Sequence, residues 1–382
     1  MLQALHRRPS SRAELAVRTG LTKATVSALV AELLTAGLVD ESPDPVPTRT
    51  GRPPVLVQLS GRRVAALGLE LAPDGCRAIV VDLAGAVRHD ATATGPPSAD
   101  PVAAARSLAS LARGAQRAAT AAGLLVAGTV VAVPGLVDEG GRAVLSAPNL
   151  GWHDVALATR LERSLGADPG SVRLDNEANL AALAHVGRVL APEADLVVVS
   201  AGVGVGAGVV LGGRLFRGAH GFGGELGHLV VDPSGRRCRC GNRGCLETVV
   251  GLRHVLRAAG VRAGTDPEMA LRRVVARLAA GDVRARDALD QVALALTDGL
   301  AAAVDLLDPD AVVLAGWPVA VADHLLPRLE RDVTRRVLGA RVAGVRLVPS
   351  PLGDRAAVAG AARVTLDRVL EDPLAVVRAG VG

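Results

Sequence analysis

The chain has 382 residues, enough for two or three lobes with cores of their own. Hydrophobic residues make up 49% but aromatics only 1%, so those cores must be built from Ala, Val and Leu. The net charge is only +5, and no run of about 18 or more apolar residues occurs, so any nucleic-acid surface must be local and a membrane span is excluded. No stretch resembles a signal peptide, and three of the four cysteines cluster between 238 and 245. That pattern points to metal binding in a reducing compartment rather than a disulfide framework, and a cytoplasmic location is expected.

The first sixty residues read as three short helices and a hairpin. Leu2 to His6 has apolar positions at helical spacing and stops before Pro9. Ser11 with Glu14 forms a capping box that starts a second helix bearing Leu15, Ala16 and Val17, and Gly20 ends it. Thr22 caps a third helix, in which Val26, Leu29, Val30, Leu33 and Leu34 recur on one face before Gly37 closes it. The other face at its start carries Lys23 (the only lysine in the chain), Ala24, Thr25, Ser27 and Ala28. A helix with small, polar residues at its N-terminus suits major-groove reading, because bulky groups would hold it away from base edges. Leu38–Asp40 and Val55–Leu59 alternate like a hairpin, with Arg49 and Arg52 in the intervening wing placed to meet phosphate or the minor groove. Residues 1–60 are therefore expected to form a winged helix-turn-helix. Its candidate contacts to double-stranded DNA are Thr22, Lys23, Ala24, Thr25, Ser27, Arg49 and Arg52; a small helical adaptor is the alternative reading.

From Gly61 the texture changes to α/β. Val64–Leu71, Cys76–Leu83 and Ala86–Ala93 predict a three-strand meander, followed by a helix over about 101–122 and a strand at Leu124–Val133. A second meander starts near Leu196 and continues through Val205–Leu211; a strand at Ala311–Ala315, another at Val345–Val348 and a helix over about 355–370 close the chain. Two similar blocks predict a duplicated α/β lobe with a ligand cleft between the copies. The glycine run from Gly202 to Gly208 could let backbone approach a phosphate, or could simply turn a tight hairpin. Cys76 falls in a predicted strand and reads as a plain core thiol.

The richest segment runs from Glu225 to Glu247. His228, Cys238, Cys240 and Cys245 are the ligand types and number that complete a closed tetrahedral zinc site, and Glu225 and Glu247 flank them without being needed for it. This reads as a metal-stiffened loop presenting polar groups to something small.

These residues resemble the signature of the ROK family of sugar-responsive bacterial repressors, open reading frames and sugar kinases. The likeness is carried by Val203–Gly208, Gly223-Gly224-Glu225-Leu226-Gly227-His228, the cysteine cluster, Val133-Pro134-Gly135, Pro148-Asn149-Leu150-Gly151-Trp152 and Asp175-Asn176-Glu177-Ala178-Asn179. It spans Gly61 to the C-terminus, and the segment in front resembles the winged helix of ROK repressors. The resemblance implies an actin-like, hexokinase-like (RNase H-like) two-lobe fold and a structural zinc on His228, Cys238, Cys240 and Cys245. The lobes are expected at 61–185 and 186–382, with a zinc loop at 225–247 and the final helix packed back on the first lobe. The resemblance further implies that sugar hydroxyls are held by Gly135, Asn149, Asn176, Glu177, Glu225, His228 and Glu247. His228 could face the metal with one ring nitrogen and the ligand with the other. Asn176 and Asn179 could instead cap a helix beginning near Glu177, and Asn149 could bond only its own turn.

Departures from the kinase pattern set the expected activity. Where ROK kinases carry an Asp-x-Gly-Gly-Thr phosphate loop, this chain has Glu70-Leu71-Ala72-Pro73-Asp74-Gly75. Ser200-Ala201-Gly202 lacks the threonine of the second phosphate segment, and Trp317 replaces a glycine near the adenosine site. Glu177 stands where the family's catalytic aspartate would be, as a vestigial base. The expectation is a non-enzymatic transcriptional regulator, a repressor acting as a homodimer or homotetramer on a pseudo-palindromic operator under control of a sugar effector. A ROK-type sugar kinase, alone or combined with regulation, is the alternative.

Overall fold

A computed structural model describes residues 1–43, 55–94, 100–262 and 266–373. The N-terminal unit comprises α1 (Leu2–Arg7), β1 (Ser10–Ser11), α2 (Arg12–Thr19), α3 (Lys23–Thr35), β2 (Val39–Pro43) and β3 (Val55–Leu59), with sheet order β1-β3-β2. Local chemistry sets the helix boundaries. Ser11 and Glu14 make the reciprocal capping box, Gly20 ends α2 in the left-handed conformation, and the Thr22 hydroxyl accepts from the Thr25 amide to start α3. Val26, Val30 and Leu33 are buried, whereas Leu29 and Leu34 are only half-buried and Val17 on α2 is exposed.

The body holds two five-stranded sheets of identical topology. In chain order come β4 (Val64–Ala72), β5 (Gly75–Asp82), β6 (Val87–Thr94), α4 (Pro101–Ala121) and β7 (Leu125–Val133). A small three-stranded excursion follows, β8 (Leu136–Val137), β9 (Val144–Ala147) and β10 (Trp152–Val155), then α5 (Leu157–Leu165), β11 (Val172–Asn176) and α6 (Glu177–His185). The second half has β12 (Leu196–Ala201), β13 (Val205–Leu211), β14 (Arg214–Phe216), α7 (Glu247–Val250), α8 (Leu252–Ala258), α9 (Pro267–Ala279) and α10 (Val283–Leu307). It ends with β15 (Ala311–Gly316), α11 (Ala322–Arg336), α12 (Ala340–Ala343), β16 (Leu347–Pro349) and α13 (Ala356–Glu371). The sheet orders are β11-β7-β4-β5-β6 and β14-β13-β12-β15-β16. Each is an antiparallel meander extended by two parallel strands.

Alternation along β4 explains how its sheet is covered on both faces. Ala65, Leu67, Leu69 and Leu71 join the core under α4, while Val64 and Ala66 face the opposite side, where α13 lies. The two halves exchange their last helices. α6, which follows the first sheet, packs on β12 and β13 of the second, and α13, which ends the chain, packs on β4 and β7 of the first. α6 and α13 then pack on each other at the centre of the molecule. The glycine run serves this arrangement. Gly202–Gly204 turns the hairpin between β12 and β13, and Gly206 and Gly208 bring β13 so near α6 that a Cβ on Gly208 would meet the Ala178 carbonyl oxygen at 2.4 Å. The N-terminal unit is joined to the body by a continuous apolar cluster in which Leu2 and Leu5 of α1 share a core with Leu366, Val369 and Leu370 of α13. An exposed Arg7–Glu193 ion pair of 2.8 Å lies at the rim of that contact. Among the described residues no helix is long and apolar enough to cross a membrane.

Candidate functional site

The cleft site is assembled from the ends of β7, β11 and β13, the start of α6 and the loop leading into α7. Gly135, Asn149, Asn176, Glu177, Glu225, His228 and Glu247 all line one pocket. Each of the seven residues expected to face a small ligand is therefore brought to the same place. Asn176 caps α6, its Oδ1 accepting from the amides of Ala178 (2.8 Å) and Asn179 (3.1 Å), while its Nδ2 donates to the Gly135 carbonyl at 2.9 Å. The capping reading of Asn176 and its place in the pocket thus hold together. Asn149 reaches across the cleft, its Nδ2 standing 3.5 Å from Glu247 Oε2, and its carbonyl accepts from Arg239 at 3.1 Å.

His228, Cys238, Cys240 and Cys245 place one ligand atom each within 4.8 Å of one another. Cys240 Sγ and Cys245 Sγ are 3.7 Å apart, and Cys238 Sγ is 3.8 Å from His228 Nδ1. A tetrahedron with metal–sulfur bonds of about 2.3 Å has edges of about 3.8 Å, so four such donors fit a metal ion. The imidazole is oriented as a shared residue requires. Nδ1 faces the thiols, while Nε2 lies 3.8 Å from Glu225 Oε2 on the pocket side. Cys238 Sγ is also 2.9 Å from Glu247 Oε1, which ties the cluster directly to the second pocket carboxylate. Cys76, by contrast, is buried in the first lobe's core, and burial pushes its thiol up to about 11.

Toward the first sheet, the cleft becomes crowded with carboxylates. Burial, then Asp74, Glu225 and Glu247, push Glu177 up to about 7. Burial, then Glu177, push Glu70 up to about 8, with Arg77 pulling the other way and Asp354 and Asp74 adding repulsion. Arg77 is committed elsewhere, to Asp90 at 2.9 Å and Asp354 at 3.0 Å. Where a phosphate loop would lie, β4 and β5 are joined by the tight Pro73-Asp74 turn, with Ala72 paired to Gly75. The Trp317 indole is buried in the second lobe's core and donates to the Val250 carbonyl at 2.9 Å.

The raised Glu70 has a consequence for stability. Its folded pKa lies above its unfolded value, so its ionisation costs stability as pH rises through the window from about 4.5 to 8, and the full cost remains above it. Glu70→Gln is therefore expected to melt higher than the parent chain at pH 8.5, with the gap closing toward pH 4.5. Thermal unfolding across that range measures it, and a gap that widens toward acid would refute the assignment.

At the other end of the molecule, Thr22, Lys23, Ala24 and Thr25 are exposed at the start of α3, and Ser27 is half-buried. The Thr22 hydroxyl is occupied by the cap and lies 2.8 Å from Thr25 Oγ1. Arg49 and Arg52 lie outside the described residues.

Three polar residues at the cleft are assigned no ligand role from the sequence. Arg217 forms a bidentate ion pair with Asp175 across the lobes, and Asn179 lines the same wall, 3% exposed. Their local sequence offers little signal. The ion pair joins positions 42 residues apart, and Asn179 is indistinguishable from a helix-capping asparagine until α6 is placed.

The description "ROK family" matches residues 66–368, and "MarR family" matches residues 1–49. The xylose repressor of Caldicellulosiruptor bescii is 29% identical over 379 residues, covering 95% of this chain and 93% of its own length. A crystallised ROK family transcriptional regulator, described as a homologue of the E. coli MLC protein, superposes with a TM-score of 0.76 at 26% identity, covering 97% of this chain and 95% of its own. A ROK family glucokinase from Streptomyces griseus, solved with glucose and AMPPNP, superposes with a TM-score of 0.65 at 27% identity over 78% of this chain and 98% of its own. Unlike the kinase, the two regulators run the length of the chain, N-terminal unit included. With the family's model covering most of the sequence and a winged helix in front of it, the chain belongs to the ROK family.

Proposed function

We propose that the chain is a transcriptional repressor whose affinity for double-stranded operator DNA is set by a sugar bound between its two lobes. The observation that carries this reading is the union, in one chain, of a winged helix with an exposed, small and polar α3 N-terminus and a cleft lined by all seven residues expected to meet a sugar. Paired carboxylates and amides are the partners that vicinal hydroxyls require. The full-length likeness to a xylose repressor supports both halves of the reading. In this assignment residues 1–60 bind DNA, 61–185 and 186–382 form the two lobes, and Gly135, Asn149, Asn176, Glu177, Glu225, His228 and Glu247 hold the sugar. His228, Cys238, Cys240 and Cys245 hold a structural zinc, which supplies rigidity to the wall bearing Glu225 and Glu247. Two copies place two winged helices on a pseudo-palindromic site.

The cleft communicates with the winged helix through helices already in contact. α6 starts at Asn176 and Glu177, packs on α13, and α13 shares its core with α1. A sugar that favours one lobe arrangement shifts operator affinity only by its differential affinity for the two states.

The reading is non-enzymatic. The β- and γ-phosphates of a nucleotide would face Glu70, Asp74 and Glu177 with Arg77 already paired, and the Pro73-Asp74 turn lacks the paired glycines whose amides would cradle them. The second reading, a sugar kinase, draws on the likeness to the S. griseus glucokinase. One pair of assays separates them. Mobility shift with the chain's own upstream DNA should detect specific binding, and Lys23→Ala should weaken it and lower the salt slope by about one, with sugar affinity unchanged. ATP-coupled phosphorylation of hexoses, pentoses and amino sugars should give no turnover. Turnover at ordinary kinase rates, with no DNA binding at low salt, would reverse the conclusion.

A further inference from the structure

Arg217 stands between the two walls of the cleft and is tied to both. It follows directly on β14, at the edge of the second sheet. Its carbonyl accepts from the Gly223 amide at 2.9 Å, closing the short loop that delivers Gly224 and Glu225 to the pocket. Its guanidinium crosses to the end of β11 in the first sheet, where Nη1 donates to Asp175 Oδ1 at 3.0 Å and Nη2 to Asp175 Oδ2 at 2.5 Å. Asp175 Oδ1 also accepts from the Asn176 amide at 2.8 Å. The Asn176 side chain in turn caps α6 and holds the Gly135 carbonyl. One series of bonds therefore runs from the Glu225 loop through Arg217, Asp175 and Asn176 to Gly135, and it begins and ends on groups assigned to the sugar.

This part of the fold needs such a tie. At Asn176 the chain leaves the first sheet and enters α6, which packs on β12 and β13 of the second, so a small rotation there would re-aim Asn176 and Glu177 together. The walls also repel each other. Burial, then Asp74, Glu225 and Glu247, oppose the charge on Glu177, and no lysine or arginine lines that pocket among the described residues. An ordinary exposed ion pair would contribute little against this. The Arg217 pair is two-pronged and the Asp175 side chain is only 13% exposed, the arrangement in which a guanidinium fixes orientation as well as charge. We infer that Arg217 is a positioning residue for the sugar: acting through Asp175, it sets the spacing of Asn176 and Glu225 across the cleft and thereby the affinity of the site. Arg217 itself does not line the sugar pocket. The inference rests on reading that pocket as a sugar site.

The test is a double-mutant cycle, read by calorimetric titration of the full chain with D-xylose and with D-glucose. Arg217→Met removes the fork and its charge, whereas Asp175→Asn keeps an acceptor for the Asn176 amide and loses only the charge. Each is expected to weaken the sugar that binds by about tenfold, the scale of a hydrogen bond to a charged group. Because Arg217 acts through Asp175, the double variant should bind within about twofold of the weaker single variant, whereas independent effects would multiply to about a hundredfold. Arg217→Lys, which keeps the charge without the fork, should lie between the parent chain and Arg217→Met. Arg173→Met controls for bulk charge, since Arg173 lines the cleft beside Arg217 and makes no ion pair among the described residues; it should stay within about twofold of the parent chain. Losses that multiply in the double variant, or an equal loss in Arg173→Met, overturn the positioning role and leave the sugar site standing. So does parent-like affinity in Arg217→Met. Binding of neither sugar to the parent chain overturns the two readings together.

Discussion

Cys245→Ser is expected to strip the 225–247 loop of its metal and to weaken sugar binding in the same step. Cys245 is fully buried, and its sulfur sits 3.7 Å from that of Cys240. A serine hydroxyl is neither soft nor ionised at neutral pH, and a three-ligand remnant loses most of its affinity for zinc. Metal content should fall from about one ion per chain to near zero. The effect reaches the pocket through two short paths. His228 offers one nitrogen to the cluster and turns the other toward Glu225, and Glu247 lies 2.9 Å from Cys238 and two residues beyond Cys245. Losing the brace frees both carboxylates, and sugar affinity should drop by about tenfold or more. Elemental analysis and sugar titration of the same preparation measure the two effects, and a chelator should reproduce them in the parent chain. Cys76→Ala is the control, expected to keep its metal because that thiol lies in the first lobe's core. Retention of zinc, or its loss with sugar affinity intact, would separate the metal from the pocket and refute the shared role of His228.

What could be read in the sequence, and what could not, divides by range. The capping box of Ser11 and Glu14, the Thr22 cap and the four metal-ligand candidates between His228 and Cys245 are legible because each constellation closes within a single short stretch of chain. The two meanders are legible as successive short apolar runs, and their equivalence in strand order follows the duplication expected from the two similar blocks. The β8–β10 excursion was not, since strands of two to four residues leave no period to detect. Nor was the purpose of Gly206 and Gly208. A glycine's local options include a phosphate cradle or a hairpin, and only the position of α6 reveals that these two are spacers beneath a helix. Asn179 carries the same lesson at the site. Its sequence neighbourhood reads as a cap, whereas its burial and empty oxygen are properties of the assembled cleft.

Gly360→Val is the substitution expected to disturb the molecule most from a position that touches neither ligand. Gly360 lies on α13 where it crosses α6, and a Cβ there would stand 1.8 Å from the Leu180 carbonyl oxygen, with the Leu180 carbonyl carbon at 2.4 Å. Both atoms are backbone, so no rotamer change relieves the overlap, and the two helices must separate by more than an ångström. Overpacking of this kind costs about 1–3 kcal/mol, with a β-branched side chain at the upper end. The same separation breaks the proposed line of communication at its midpoint. Asn176 and Glu177 sit at the start of α6, four to three residues before Leu180, while the far end of α13 shares its core with Leu2 and Leu5 of the winged helix. Sugar binding should therefore survive, because the pocket residues are untouched. Operator binding should survive as well, but the ratio of operator affinities with and without sugar should fall toward one. Gly360→Ala, which carries the same Cβ overlap without the two further methyl groups of valine, should lie between the parent chain and the valine variant in both melting temperature and response, and serves as the test if the larger substitution prevents folding. Thermal unfolding, sugar titration and operator binding on the two variants provide the measurement. A parent-like melting temperature would show that α6 and α13 do not pack as closely as described. Reduced stability with an undiminished sugar response would show that the signal reaches the winged helix by another route.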